Sequence, residues 1–199
     1  MILLLFLKAF ISTNCADSSI LISNCTMIHR KNYDKSSIVV DYPINTDEDL
    51  LIIDTVIENS TIDGCRTMES GGAILLNSVQ KVFINNSIFI NNEASVTGGA
   101  IYFTTIKNEM NIEIINSYFE SNNATDGFAI HISDNQHPIS SSIIISNNTF
   151  IDNYNIKSST NCSIILIDSC LIPRETILYS NTFINHQYDS DIKINEYSC

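Results

Sequence analysis

The sequence predicts an all-β fold, a right-handed parallel β-helix (solenoid) of about five to six coils. Two tetrapeptides alternate along the 199 residues: Gly-Gly-Ala-Ile begins at Gly71 and Gly98, and Phe-x-x-Asn begins at Phe89 and Phe119. An apolar anchor recurs at steps of 27, 30, 31 and 33 residues, at Ile62, Phe89, Phe119, Phe150 and Phe183. Periods in this range are typical of stacked supersecondary units, and no helical periodicity separates them.

Each repeat also carries an apolar alternation of period two on either side of its turns. Before the aromatic anchor the pairs are Val82 and Ile84, Ile112 and Ile114, Ile143 and Ile145. After the glycine pair they are Ile74 and Leu76, Ile101 and Phe103, Ile130 and Ile132. Alternation of this kind predicts short strands with one buried face. We expect about three such strands in each coil.

Asparagine and glycine occupy the positions between these strands. Two asparagine columns are predicted, Asn86, Asn116 and Asn147 three residues before the aromatic, and Asn92, Asn122 and Asn153 three residues after it. Asparagine tolerates a left-handed backbone, and its amide can bond the equivalent amides above and below in a ladder. Glycine allows a tight corner because it has no side chain to forbid positive φ.

These two motifs in phase resemble a known group of repeats. The first begins at Gly71, Gly98 and, in degenerate form, Gly127, and the second begins at Phe83, Phe89, Phe119 and Phe150. The alternation, over roughly residues 50 to 190, resembles the polymorphic outer membrane proteins of chlamydiae, and similar repeats occur in surface proteins of parasitic protists. The resemblance implies a pectin-lyase-like β-helix displayed at a cell surface, often with an adhesive role. The chain departs from that family in having no autotransporter barrel and no C-terminal transmembrane helix.

The chain divides into a signal peptide at residues 1–16 and a single domain at 17–199, with a degenerate first coil at 17–50 and clear repeats at 51–190. An apolar run followed by small residues before Ala16 is typical of a secretory signal. An N-terminal cap strand or a misassigned start codon are the alternatives. No stretch reaches the ~20 apolar residues that span a bilayer, so no integral membrane segment is predicted. We therefore expect a secreted protein or one on the extracellular surface.

Export fits the cysteines and the glycosylation sequons. Six cysteines suit an oxidising compartment, with their pairing left open. Cys162 and Cys170 can pair with each other only if the chain turns between them, and otherwise with a neighbouring coil or with Cys199. Sequons begin at Asn24, Asn59, Asn85, Asn123, Asn147 and Asn161. We expect Asn59 and Asn147 to carry no sugar, because they fall in the asparagine ladder, where an amide is buried.

Charge and residue spacing exclude several classes of function. The net charge of −12, with only ten Lys and Arg residues, argues against nucleic-acid binding. The four histidines are scattered without zinc-ligand spacing. The acidic run from Asp47 to Asp49 lacks the order of a calcium loop, which favours a solvated loop. No catalytic residue, cofactor site or metal site is predicted.

Two functions of different class remain. Polysaccharide hydrolases need a paired acid and base ~5 to 9.5 Å apart. The carboxylates near the repeated turns occupy different columns, with no His or Arg column beside them: Asp63, Glu93, Glu120, Asp126 and Asp152. The sequence therefore favours a non-catalytic secreted or cell-surface interaction module, adhesin-like, whose partner is a host or cell-surface protein or glycan. The alternative is a carbohydrate-active enzyme, a polysaccharide lyase or hydrolase, complete or degenerate. Oligomeric state is left open.

Overall fold

The computed structural model describes residues 11–13, 19–28, 38–40, 54–77, 79–105, 109–134, 140–155, 162–169, 175–185 and 190–196. Within these ranges the chain forms β-strands and no helix. In chain order the strands are β1 (Ile11–Thr13), β2 (Ser19–Ser23), β3 (Thr26–Ile28), β4 (Ile38–Val40), β5 (Asp54–Glu58), β6 (Thr61–Asp63), β7 (Arg66–Thr67), β8 (Ile74–Asn77), β9 (Lys81–Asn85), β10 (Ile88–Ile90), β11 (Glu93–Ala94), β12 (Ile101–Thr105), β13 (Glu109–Ile115), β14 (Tyr118–Glu120), β15 (Asn123–Ala124), β16 (Ile130–Asp134), β17 (Ser140–Ser146), β18 (Thr149–Ile151), β19 (Tyr154–Asn155), β20 (Ser163–Ser169), β21 (Glu175–Tyr179), β22 (Thr182–Ile184) and β23 (Ser190–Glu196).

The strands form four parallel sheets that run along one axis. Sheet A contains β1, β4, β8, β12, β16, β20 and β23, and sheet B contains β2, β5, β9, β13, β17 and β21. Sheet C contains β3, β6, β10, β14, β18 and β22, and sheet D contains β7, β11, β15 and β19. Each strand pairs with the equivalent strand one repeat later, so the chain winds through B, C, D and A in turn. The fold is a parallel β-solenoid of about four complete turns, which confirms the predicted all-β architecture. Each complete turn has four strands rather than the expected number of about three. The additional strand is the two-residue strand of sheet D, which is too short to show an apolar alternation in the sequence.

The predicted aromatic column is confirmed. Phe89 pairs with Phe119, and Phe119 with Phe150, in the register of sheet C. All three rings are fully buried, and neighbouring ring centroids lie 4.9 Å apart in stacked geometry. Phe183 extends the stack with a centroid distance of 5.0 Å from Phe150. These distances match the ~4.8 Å separation of paired strands, so each turn places its ring directly on the previous one.

The aliphatic columns are confirmed as well. In sheet B, Ile84, Ile114 and Ile145 pair in register and are fully buried. In sheet A, the equivalent column runs Ile74, Ile101, Ile130 and Ile165. These inward residues face the aromatic stack across the narrow interior and form one continuous hydrophobic core with it. Burial of such side chains supplies about 1.5–3 kcal/mol each, which is the main driving force for winding.

One of the two asparagine columns is a buried ladder. The Asn92 side-chain amide donates to Asn122 Oδ1 at 3.0 Å, and the Asn122 amide donates to Asn153 Oδ1, also at 3.0 Å. The same oxygens accept backbone N–H groups, as Asn92 Oδ1 does from Cys65 at 3.0 Å. The ladder therefore satisfies both backbone and side-chain polar groups that the corner between sheets C and D removes from water.

The other asparagine column is not buried, which corrects a prediction. Asn59, Asn86, Asn116 and Asn147 stand at the same corner of successive turns with φ between 48° and 56°, and all four side chains are exposed. The expectation that Asn59 and Asn147 are buried, and carry no sugar for that reason, is therefore wrong. A left-handed residue at this corner directs its own side chain outward and the next side chain inward.

Those next side chains form the buried ladder at this corner. Ser87 Oγ accepts the Ser60 N–H at 3.3 Å, and Ser117 Oγ accepts the Ser87 N–H at 3.2 Å. In the following turns Asn148 and Asn181 stand where the earlier turns have serine. Their Oδ1 atoms accept hydrogen bonds from the backbone N–H of Ser117 at 2.8 Å and of Asn148 at 3.1 Å, respectively. The corner thus has the ladder that was predicted, but one residue further along the chain.

The glycine pairs close the corner that leads into sheet A, as predicted. Gly71, Gly98 and Gly127 have φ of 73°, 65° and 54°. The second glycine is required by close packing: a Cβ on Gly99 would lie 2.0 Å from the carbonyl oxygen of Phe128 in the next turn. No side chain fits between two backbones at that distance, so the second position must be glycine at Gly99, whereas the degenerate third copy has Phe128 there.

Several predictions concern residues outside the described ranges. These are most of the signal peptide, the acidic run at 47–49 and the cysteines Cys15, Cys170 and Cys199. Of the cysteines that are described, Cys25 is half-buried, Cys65 and Cys162 are buried, and no disulfide links any two of these three. The described part of the chain contains no helix long and apolar enough to cross a membrane.

Candidate functional site on the outer faces

The carboxylates singled out in the sequence are spread over the outside of the solenoid. Asp63 and Glu120 share an outward column of sheet C but are separated by a full turn, whose residue at that position is Ile90. Glu93 lies in sheet D, where it forms a 2.9 Å ion pair with Arg66. Asp63 and Glu120 therefore share a column, which corrects the expectation that all five carboxylates occupy different columns. No two of these three carboxylates stand on directly paired strands.

The remaining two candidates also differ in setting. Asp152 is exposed at the left-handed corner after sheet C, with φ of 50°. Asp126 lies at the corner before sheet A, and its Oδ1 accepts three hydrogen bonds, from Gly127 N at 2.8 Å and from Ser163 N and Oγ at 2.8 and 3.0 Å. Its other oxygen lies 3.7 Å from Lys193 Nζ. Asp126 is therefore engaged in holding the corner against the next turn.

A polar cluster beside Asp126, on the outer face of sheet A, was not foreseen from the sequence. His131 Nδ1 lies 2.8 Å from Thr97 Oγ1, and His131 Nε2 lies 3.0 Å from Asp168 Oδ2. The histidine side chain is only 9% exposed. Asp168 Oδ1 accepts a 2.7 Å hydrogen bond from Asn195. We call these residues, with Tyr102, the His131 cluster.

Tyr102 contacts this cluster through its ring, whose centroid lies 5.0 Å from that of His131 in an edge geometry. Burial raises the pKa of the Tyr102 hydroxyl above its usual 10.0; a hydrogen bond with Ser133 opposes this rise, and the negative charge of Asp168 adds to it. The neutral tyrosine is thus the favoured form throughout the physiological range. The cluster comes from four successive turns, each contributing one or two outward residues.

The order carboxylate, imidazole, hydroxyl in this cluster is that of a nucleophile–base–carboxylate triad. A triad also requires N–H donors that stabilise the oxyanion. The N–H groups that follow Thr97, on Gly98 and Gly99, donate instead to the carbonyl oxygens of Asp126 and Gly127, at 3.3 and 3.2 Å. The local backbone therefore holds the solenoid together and offers no oxyanion site next to Thr97.

The outer face of sheet B has a different character. One outward position of each strand forms a row parallel to the axis, which we call the sheet B row: Leu21, Val56, Phe83, Glu113, Ile144 and Ile177. All six side chains are exposed or half-buried, and Leu21 is 68% exposed. Five of the six are apolar, and the single charge stands between Phe83 and Ile144.

A groove of about 400 Å³ lies over the middle of this row. Its lining includes Val56, Phe83, Glu113 and Ile144 from the row, and Asp54 and Lys81 from the neighbouring outward positions. Among the side chains that the structure describes on this face, the outward charges are four carboxylates, Asp54, Glu58, Glu113 and Glu175, and one ammonium, Lys81. Asp54 Oδ1 is buried in the wall and has no hydrogen-bond partner. The groove thus has an apolar floor interrupted by one carboxylate, Glu113, and beside that floor one further carboxylate, Asp54, and one ammonium, Lys81.

Neither surface has the ligand set of a metal site, since the described residues contain no group of three or more His, Cys, Asp or Glu that could hold an ion. Comparison with models of protein families, with curated proteins and with solved structures finds no significant match to this chain.

Proposed function

We propose that this chain is a non-catalytic, secreted or cell-surface interaction module with an adhesin-like role. The observation that carries the proposal is the sheet B row, a partly exposed, mainly apolar strip that continues across six strands and contains one charge. Stacked turns create extended surfaces of this kind, on which a long ligand makes the same contact many times. Exposed apolar strips on a soluble protein mark interaction sites.

The finer features of the proposal rest on the sequence. We infer a right-handed, pectin-lyase-like β-helix of five to six coils, counting the incomplete turns at both ends, because about 98% of parallel crossovers are right-handed. The polymorphic outer membrane repeat family supplies the proposed display at a cell surface. The sequon asparagines Asn24, Asn59 and Asn147 are exposed at one corner, which leaves them accessible for glycosylation.

A binding assay on whole cells tests this function. The full chain, expressed through a secretory pathway and fluorescently labelled, is applied to candidate host cells and to an array of neutral and charged glycans. Saturable binding that unlabelled protein displaces is expected. A companion variant, Ile144→Thr, makes the row polar at its centre and should weaken binding without lowering the melting temperature by more than a few degrees. Absence of saturable binding to every surface would contradict the proposal.

The second candidate function, a carbohydrate-active enzyme, is favoured by the His131 cluster, where Asp168 Oδ2 lies 3.0 Å from His131 Nε2, and by Asp126, whose Oδ2 lies 3.7 Å from Lys193 Nζ. The net charge of −12 disfavours polyanionic substrates such as pectins, alginates and glycosaminoglycans. Screening these and neutral polysaccharides with the wild type and with Asp126→Asn and Asp168→Asn decides between the two candidates. Turnover that either replacement abolishes would establish an enzyme.

A further inference from the structure

We propose that the groove on sheet B binds an extended, cationic polypeptide segment, laid along the sheet B row with a Lys or Arg side chain paired to Glu113. The inference rests on the proposed interaction function and names the class of partner. The peptide does not extend a sheet by pairing with an edge strand. It lies across the strands, parallel to the solenoid axis.

The dimensions of the row suit a short peptide. Six strands at ~4.8 Å give a row of ~24 Å, which equals about seven residues of extended chain at ~3.3 Å each. Val56, Phe83 and Ile144 form the groove floor on both sides of Glu113. An extended segment with its apolar side chains on one face can therefore cover the floor while a single cationic side chain reaches Glu113.

The charges select a cationic occupant. Among the groove-lining residues two carboxylates, Asp54 and Glu113, stand against one ammonium, Lys81. No described side chain lies within ion-pair distance of Glu113 or Asp54. Asp54 Oδ1 also lacks a hydrogen-bond donor although it is buried in the groove wall. The negative charge of Asp54 adds to the attraction that Glu113 exerts on a cationic side chain in the groove.

The chemistry of the floor distinguishes a peptide from a glycan. Sugars stack their C–H faces on aromatic rings and need many hydrogen-bonding partners, whereas this row offers one aromatic side chain among aliphatic ones. A second copy of the chain fits poorly, because each copy has 22 acidic and 10 basic side chains and two acidic faces repel. A peptide with apolar side chains and one cationic side chain matches both the apolar floor and Glu113.

A charge-exchange experiment tests the pairing with Glu113. Fluorescein-labelled peptides of the sequence Ser-Val-Thr-Lys-Thr-Val-Ser, and the same peptide with Glu in place of Lys, are titrated with full-length protein and followed by anisotropy. The wild type should bind the Lys peptide about fivefold more tightly than the Glu peptide, the size of one partly exposed ion pair. Glu113→Lys should reverse this preference, and raised salt should reduce it.

The controls distinguish binding in the groove from electrostatic attraction to the acidic surface as a whole. Glu120→Lys makes the same change of charge on the outer face of sheet C and should leave the preference as in the wild type. Ile144→Thr should weaken both peptides to a similar degree. Thermal unfolding of each variant verifies that it is folded before it is titrated.

Each other outcome overturns the inference. If both peptides bind equally well to the wild type and to Glu113→Lys, the proposed ion pair between the peptide and Glu113 does not form. Binding of neutral oligosaccharides, sensitive to Ile144→Thr, with neither peptide bound, assigns the groove to a glycan and leaves the proposed function intact. Cell binding that no groove variant affects places the interaction elsewhere on the molecule. If cell binding is absent as well, the proposed function fails together with this inference.

Discussion

Inside the solenoid, successive turns carry similar side chains at equivalent positions, whereas on the outer faces they carry different ones. Phe89, Phe119 and Phe150 stack ring on ring, but the sheet B row passes from Phe83 to Glu113 within one step. An inward side chain has to fill the space directly above its equivalent in the previous turn, whereas an outward side chain only has to be compatible with exposure to solvent. The repeat therefore encodes the fold, and departures from it on the outside are where a function can be encoded.

The outer faces also differ from each other. On sheet A the outward polar groups bond one another across turns, as His131 does with Asp168 and Thr104 with Asn77 at 3.2 Å. On sheet B the outward carboxylate Asp54 keeps a buried oxygen without a donor. A face that satisfies its own polar groups stabilises the solenoid, whereas a face that leaves them unsatisfied is suited to a partner. Changes inside, on sheet A and on sheet B should therefore have decreasing effects on stability.

The largest effect is expected from the aromatic column. Phe119→Ala removes the middle ring of the stack and should lower the free energy of unfolding by about 3–5 kcal/mol, from lost burial and the cavity that remains. Phe183→Ala, at the end of the stack where the ring is only partly buried, is the matched control and should cost distinctly less. Urea denaturation followed by circular dichroism measures both. Equal costs would mean that the stack is not the core of the protein.

The glycine corner comes next. Gly99→Ala places a Cβ 2.0 Å from a backbone oxygen of the next turn, which forces two turns apart and should cost at least the upper end of the ~1–3 kcal/mol seen for overpacking. Gly64→Asn is the control, because Gly64 stands at the left-handed corner that Asn91 and Asn185 occupy in other turns. The control should be close to neutral in the same denaturation assay.

The buried ladder gives an intermediate effect. Asn122→Ala deletes the acceptor of the Asn92 N–H and side-chain amide, at 3.1 and 3.0 Å, and should cost about 2–3 kcal/mol because buried donors are left unsatisfied. Asn116→Gly, at the exposed asparagine corner with φ of 52°, should change stability by only a few tenths of a kcal/mol. A comparable cost at Asn116 would show that the outer asparagines are also structural.

On sheet A the expected effect is a pH dependence. Because the pKa of Tyr102 is raised in the folded protein, the unfolded chain loses this proton first as pH rises past 10.0. Its contribution to stability is therefore present below pH 10 and is lost as pH rises through the folded-state pKa. Tyr102→Phe should make the fall in stability above pH 10 shallower. Asp168→Asn should lower the Tyr102 pKa, which an ultraviolet titration of the tyrosines detects.

On sheet B the smallest effect on stability is expected. Glu113→Gln removes an outward charge with no ion-pair partner among the described residues and should change the free energy of unfolding by no more than about 0.5 kcal/mol. The same substitution should weaken binding of the Lys-centred peptide. A large loss of stability would show that Glu113 has a structural partner, and would remove the distinction between the two outer faces.

Most of the fold could be predicted from the sequence because buried columns must match from turn to turn. Phe119, Ile114 and Asn122 each recur at a fixed distance from the same motif, and the structure places all three as expected. The error concerned Asn59 and Asn147, whose repeat is equally regular but whose side chains point outward. A periodic position identifies a column, and only the local backbone conformation decides which side of the wall it faces.

The outward contacts followed a different rule. His131 and Asp168 lie 37 residues apart, an offset longer than the steps between aromatic anchors, because the register partner of His131 is Leu166 and Asp168 lies two residues further along that strand. The spacing therefore gave no reason to pair them. The same holds for the sheet B row, whose six members are of five residue types and are aligned only through strand register.

By itself, the sequence determined the parallel all-β solenoid, its inward columns and its left-handed corners, because each turn must repeat the shape and chemistry of the one beneath it. The tertiary structure alone decided which side chains meet on the outside: that Asp168 binds His131, that Asn86 points to solvent while Ser87 points inward, and that Glu113 stands alone in an apolar row. Those contacts depend on the lengths of connecting segments and on which side chain beside a left-handed residue points inward, and no residue pattern along the chain specifies either.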